Sequence, residues 1–247
     1  MNVTYLRYEL LRLTRNKRFF IFSLIFPLAL YLFVAGANKN QTIPVGSFKL
    51  SFPLYYMVSM ASYGSMIAAM GGGARISTER STGWNRQLRL TPLRPTEYFG
   101  AKVLTSYLMA IVSIVLLYIA GLSYGVGKHV GTAEWFGMTG LLLVGLAPFI
   151  ALGVAVGHLM TPDSIGPALG GGSAFFGFLG GQWFPLPSSG FLHYLGECLP
   201  SYWLTQASHL GIGGNAWGVT GWAVIIAWTA AATGLATWAY RRDTQRT

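Results

Sequence analysis

An all-α polytopic membrane protein is the fold class that this sequence predicts, and three observations predict it. Hydrophobic residues fill 53% of the 247 positions and charged residues only 10%, against roughly a quarter charged in a soluble domain. Apolar stretches of membrane-crossing length recur along the chain without a charge. Lys and Arg cluster between those stretches, as they do in short cytoplasmic loops, so the net charge of +10 does not point to nucleic acid.

Taken in order, residues 1–18 read as an amphipathic interfacial helix. Val3, Leu6, Leu10 and Leu13 recur at spacings of three and four, with Arg7, Arg12 and Arg15 turned away, a pattern that suits an anionic membrane surface. Span one covers 19–37 and holds Pro27, which should kink it. Ala35-Gly36-Ala37 imitates a signal-peptidase site, but the regions before it are too long for a leader, so a retained span is expected. Residues 38–51 read as a short exterior loop.

Span two, 52–73, is rich in small and hydroxyl residues. Tyr55, Ser59, Ser62 and Met66 share one face at helical spacing, which either lines a route for an amphipathic substrate or packs against another helix. Residues 75–97 form the one long polar and basic segment between apolar runs, read as a cytoplasmic docking helix. Spans three and four follow at 103–123 and 136–160, the latter with Pro148 inside, and Thr161-Pro162-Asp163 reads as a turn. Span five, 167–184, is dense in glycine. Gly166 with Gly170, and Gly177 with Gly181, fit the small-xxx-small pattern and mark a candidate dimer seam. Residues 185–210 break repeatedly at proline and are too short to cross, so a re-entrant or external segment is expected there. Span six is 217–240. The whole of 1–247 reads as a single transmembrane domain.

The positive-inside rule sets the orientation. Five Lys or Arg precede residue 19, six lie in 74–102 and three in the C-terminal tail, fourteen in all, against Lys39, Lys49 and Lys128 on the other side. Both termini and the docking segment are therefore expected in the cytoplasm of a multi-pass protein of the plasma membrane, the inner or cell membrane of a bacterium.

Several chemistries are excluded. No Gly-x-x-x-x-Gly-Lys-Ser/Thr loop exists to cradle phosphates, so no cofactor, ATP included, is expected on this chain itself. The single cysteine, Cys198, allows no internal disulfide, and the histidines show no metal-ligand spacing. An intramembrane serine protease built on Gly171-Gly172-Ser173 would need a histidine within reach as base, and the sequence places none there. The spans as drawn hold no Asp, Glu, Lys or Arg, which argues against an internal ion relay. The energy for any transport must then come from a partner.

Glu79-Arg80-Ser81-Thr82-Gly83 followed by Leu88-Arg89-Leu90-Thr91-Pro92-Leu93 is similar to the E-R-x-x-G…L-R-x-T-P-L string of ABC-2 type (type V) ABC exporter permeases, and the order of parts resembles that family over nearly the whole chain. The resemblance implies a coupling helix between spans two and three. It also implies two copies of a separate ATPase subunit that hold ATP and Mg, and a second permease chain, identical or homologous. Glu79, Arg80, Gly83, Trp84, Arg86, Leu88, Arg89, Leu90, Thr91 and Pro92 would form the ATPase-docking surface, with Trp84, Leu88 and Leu90 as anchors and Arg86 and Arg89 facing acids. A lipophilic or amphiphilic cargo, such as a drug, antibiotic or lipid-like solute, is expected from the face of span two. The competing reading is a membrane scaffold or immunity component that recruits an ATPase without moving cargo.

Overall fold

The computed structural model describes residues 3–15, 21–45, 48–91, 93–127, 130–214 and 216–245. Helix α1, Val3–Arg15, keeps Tyr5, Leu6 and Leu10 half-buried and Glu9 buried, while Arg7 and Tyr8 face outward. The expected start of span one and Pro92 lie outside the described residues. A π-helical turn at Ile21–Ile25 runs into α2, Phe26–Ala37, and Pro27 sits at the join, where the widened turn tolerates its missing N–H.

Part of the expected loop at 38–51 is an antiparallel hairpin, β1 Thr42–Val45 with β2 Phe48–Ser51, Thr42 opposite Ser51 and Val45 opposite Phe48. The signal was present in the sequence. Gly46-Ser47 separates two short runs with apolar Ile43, Val45, Phe48 and Leu50. Helix α3, Phe52–Ala74, then leads into two short helices, α4 Ile76–Ser81 and α5 Trp84–Arg89. Gly83 between them adopts φ 71°, a left-handed conformation that favours glycine.

Helix α6 runs from Pro95 to Ser123, starting eight residues before span three was expected. The start chemistry explains this. Pro95 occupies the first turn, and the Glu97 carboxylate accepts from the Arg94 backbone N–H at 3.3 Å. Lys102 therefore belongs to the helix and not to a preceding loop. The span expected at 136–160 is two helices, α7 Thr132–Gly145 and α8 Ala147–Leu159, joined at Leu146 just before Pro148.

The turn expected at 161–163 is a helix start. Thr161 caps α9, Pro162–Leu179, with Pro162 and Asp163 in the first turn, all three being favoured there. This helix begins and ends five residues earlier than expected. The external segment holds α10 Phe191–Glu197, α11 Pro200–His209 and a 3-10 turn at Leu210–Ile212, and α12 runs Val219–Gln245. Among the described residues, three helical stretches are long and apolar enough to cross a membrane: Pro95–Ser123, Thr132–Leu159 and Val219–Asp243. The stretch Ser23–Ala37 is apolar but shorter.

Helix α3 is the centre of the bundle. Of its 23 residues 20 are buried, so neighbouring helices enclose it on every side. It packs chiefly on α6 and α8, with α2 and α11 closing the remaining faces. Its hydroxyls are discharged locally. Ser59 Oγ donates to the Tyr55 carbonyl at 3.0 Å, and Ser62 and Ser65 donate to the carbonyls of Ser59 and Ser62, each at 2.9 Å.

The α3–α8 crossing is backbone against backbone. A Cβ on Gly153 would strike the Met70 carbonyl, one on Gly157 the Gly73 carbonyl oxygen, and one on Gly73 the Gly153–Val154 backbone. Gly153-x-x-x-Gly157 is the small-xxx-small pair used for close helix contact in this chain. A Gly153→Leu substitution has no flexible atom to displace, and it should destabilise the fold by about 1–3 kcal/mol or more. An unchanged melting midpoint of the purified variant in detergent would contradict this crossing.

Candidate docking site at the basic end of the bundle

The polar segment between α3 and α6 is held by two ion clusters that its sequence neighbours, Glu79 and Arg80, begin in opposite directions. Helix α4 turns Glu79 inward to 1% exposure. There Lys102 Nζ of α6 meets Glu79 Oε1 at 2.5 Å and Glu9 Oε1 of α1 at 2.6 Å. Tyr98 Oη donates to Glu79 Oε2 at 2.8 Å and Arg12 Nη1 reaches Glu79 Oε1 at 3.3 Å. Arg75 Nη1 stands 4.0 Å from Glu9. Lys102 is itself fully buried.

An isolated buried charge costs several kcal/mol, so the cluster is stable only while its members answer one another. Two carboxylates face one ammonium and two guanidiniums, one of them the half-exposed Arg12. Burial, then the nearby Glu9 and Glu79 carboxylates, pushes the Tyr5 phenol well above its usual range and keeps it neutral. Burial lowers Arg75 from its ordinary value against the pull of the same two acids.

Arg80 points the other way. Its Nε donates to Asp243 Oδ1 of α12 at 2.8 Å, and its Nη1 to the His158 carbonyl at the end of α8 at 2.6 Å. His158 Nδ1 lies 3.2 Å from Asp243 Oδ2. The Glu-Arg pair thus ties one short helix to α1 and α6 on one side and to α8 and α12 on the other. Glu79 is buried in this arrangement, and the Arg80 side chain is 31% exposed.

The rest of the segment divides by exposure. Trp84 is half-buried under the Arg12 guanidinium, 5.1 Å from the ring centroid. Leu88 packs against the small apolar cluster of Ile76, Tyr98, Val154, Ala155 and Ala236. Gln87, Leu90 and Thr91 face outward, Leu90 at 88% exposure, and Thr91 Oγ1 donates to the Leu88 carbonyl at 2.6 Å. The side chains of Arg86 and Arg89 lie outside the described residues.

On α3, Ser59, Ser62 and Met66 are fully buried. Tyr55 stacks on His209 of α11 with centroids 4.4 Å apart, Ser59 Oγ lies 3.0 Å from His209 Nε2, and Gln182 Nε2 donates to Ser62 Oγ at 3.1 Å. Burial lowers His209 to about 4, so the imidazole is neutral at pH 7. The face that the sequence offered as route or packing is packed in this state. Ser173 donates to the Gly170 carbonyl at 3.1 Å. The three described histidines have other partners: His158 meets Asp243, His193 meets Glu197 and His209 meets Ser59.

The glycines of the candidate seam separate. Gly166 and Gly170 have open space where a Cβ would stand, whereas Gly177 lies against Tyr63 and Trp183 of the same chain. Gly181 falls beyond α9 at φ 71°. Missed by sequence reading were Glu9, Lys102, Asp243 and His158. Their signal was the presence of acids and a lysine beside apolar helix faces, where solvent alone would not hold them.

The chain matches the model of the ABC-2 family transporter proteins over residues 37–239. It is also 31% identical over 200 residues, covering 78% of each chain, to a Bacillus subtilis (strain 168) protein named "Putative transport permease YvfS". The chain belongs to the ABC-2 transporter family. It is accordingly a membrane-embedded transport permease, in a family that implies an ABC transporter with an ATPase partner.

Lys102→Met leaves two carboxylates facing each other in a buried site and should cost about 3–5 kcal/mol, read as a lowered melting midpoint in detergent. Adding Glu9→Gln and Glu79→Gln should restore most of it, and an additive loss would contradict a shared cluster. His209 gives a pH effect of definite sign. Its folded value, about 4, lies below the ordinary 6.5, so the unfolded chain binds more protons between those limits. Stability should fall by up to about 3 kcal/mol as pH drops through that window, and His209→Gln should flatten the slope.

Proposed function

We propose that the chain is the permease of an ABC exporter that takes its energy from ATPase subunits docked on the segment Ile76–Thr91. Two permease chains, identical or homologous, and two ATPase subunits would form the working unit, with ATP and Mg held by the ATPases. Six spans would cross the plasma membrane: the stretch around α2, then α3, α6, α7 with α8, α9, and α12. The lysine and arginine count favours both termini in the cytoplasm.

The single observation that carries this reading is Leu90, a large apolar side chain 88% exposed at the tip of a segment whose base is tied to α1, α6, α8 and α12. Such a tip suits a hydrophobic anchor in a partner's groove, with Gln87 and Thr91 beside it and Arg86, Arg89 and Pro92 in the same segment. Glu79, Arg80 and Gly83 then act as the mount and not as the contact. Displacing the segment would move the helices it holds as one body, because a buried ion cluster yields only as a whole.

A lipophilic or amphiphilic cargo is supported by the character of α3, whose buried face alternates hydroxyls with Met66 and Tyr55. The buried Gln182 Oε1 has no hydrogen-bond partner there. Separation of α3 from α11 would open this face to a solute. The open face of α9 at Gly166 and Gly170 suits the second permease.

Leu90→Asp should lower co-purification of a cognate ATPase subunit by about tenfold, with the yield of folded permease unchanged. Undiminished co-purification would sink the docking assignment. In vesicles holding both proteins, ATP hydrolysis without movement of any amphiphile would leave the scaffold reading in its place.

A further inference from the structure

A cleft of about 440 Å³ lies between α6, α8 and α12. One wall carries Val103 and Tyr107 of α6, the floor Ile150 and Val154 of α8, and the other wall Ala236 and Thr237 of α12. All three helices belong to stretches of membrane-crossing length and apolarity. The trough exists because small residues on α12 face bulkier ones across the gap, leaving space that side chains do not fill. Val103 on the rim is 38% exposed, so the cleft opens outward from the bundle.

Its chemistry rejects a polar occupant. On the α12 rim, Thr237 Oγ1 donates to the Thr233 carbonyl of its own helix at 2.8 Å. The remaining surface is mostly aliphatic and aromatic and carries no charged side chain, so it offers little to repay the desolvation of a charged ligand. Along α6 the cleft extends from Phe99 to Tyr107, about 12 Å at the helical rise. This approximates one leaflet, half of a hydrocarbon core roughly 30 Å thick. The cleft ends at Tyr240, and the next two residues of α12, Arg241 and Arg242, are exposed. Arg241 follows Thr237 by four residues and so stands on the same side of the helix.

We propose that this cleft seats one acyl chain of an anionic phospholipid, with the head group held at the basic end of α12 by Arg241. The two halves support each other: the cleft accepts only an apolar chain, and the exposed guanidinium at its end favours a negative head group. The bound lipid would brace α6 against α12, the helices that carry Lys102 and Asp243. The site depends on membrane insertion and not on the ATPase, so its test is separate from that of the docking segment.

The full-length protein would be reconstituted in vesicles of phosphatidylcholine and phosphatidylglycerol. Each lipid in turn would carry a trace of a probe with a photoactivatable acyl chain, and adducts would be mapped by peptide mass spectrometry. Phosphatidylglycerol adducts should concentrate on the peptides bearing Val103, Ile150 and Ala236. Ala236→Trp, which fills the trough, should reduce them about tenfold while adducts at Phe175 and Phe178 on α9 stay constant. Arg241→Gln should remove the preference for phosphatidylglycerol over phosphatidylcholine. If Ala236→Trp fails to fold, Val103→Trp at the exposed rim serves the same purpose. Equal labelling of the cleft and of α9 would overturn the proposal, as would labelling blind to both the filling substitution and the head group. Disulfide pairing of two Val103→Cys copies would place a second chain over the cleft and would also overturn it.

Discussion

Lys102 sits with no solvent exposure between two carboxylates that reach it from distant parts of the chain, Glu9 on α1 and Glu79 on α4. In a low-dielectric interior such a lysine exists as a cation only while both partners remain in place. That requirement fixes the position of an N-terminal helix that would otherwise only float at the membrane surface. It also holds the segment 76–91 against the first turns of α6. Tyr98, two aromatic contacts and the Arg12 guanidinium over Trp84 surround the cluster and exclude water.

Arg80 extends the constraint to the other wall. Through Asp243 and the His158 carbonyl it joins α4 to the ends of α12 and α8. The α8 backbone in turn lies directly on that of α3 at Gly73, Gly153 and Gly157. The segment 76–91 is therefore linked to the central helix through ion pairs and through close-packed backbone. Tight packing of this kind leaves few intermediate arrangements.

The central helix shows the same economy in a different form. Its serines donate to carbonyls of their own helix, Ser62 Oγ also accepts from Gln182 Nε2, and Ser59 Oγ lies within hydrogen-bond distance of His209 Nε2. Helix α3 is enclosed by its neighbours, with 20 of its 23 residues buried. The mostly apolar cleft between α6, α8 and α12 lies on the outer side, away from the serines of α3.

Composition and apolar run length determined on their own that this is a helical membrane protein, and the clustering of Lys and Arg marked the segment around Glu79 to Thr91 as the odd polar element. Those properties are local, and a window of some twenty residues suffices to read them. The tertiary structure alone decided that Glu79 turns inward while Arg80 reaches α8 and α12, that Lys102 lies within a helix and not before it, and that Gly153 and Gly157 bring the α8 backbone onto that of α3. The hairpin at Thr42–Ser51 and the break at Leu146 were legible from Gly46-Ser47 and Pro148 but not drawn as such. The physical reason is range. Glu9 and Lys102 are 93 positions apart, Arg80 and Asp243 are 163 apart, and no periodicity along the chain states which charges will meet once water is removed.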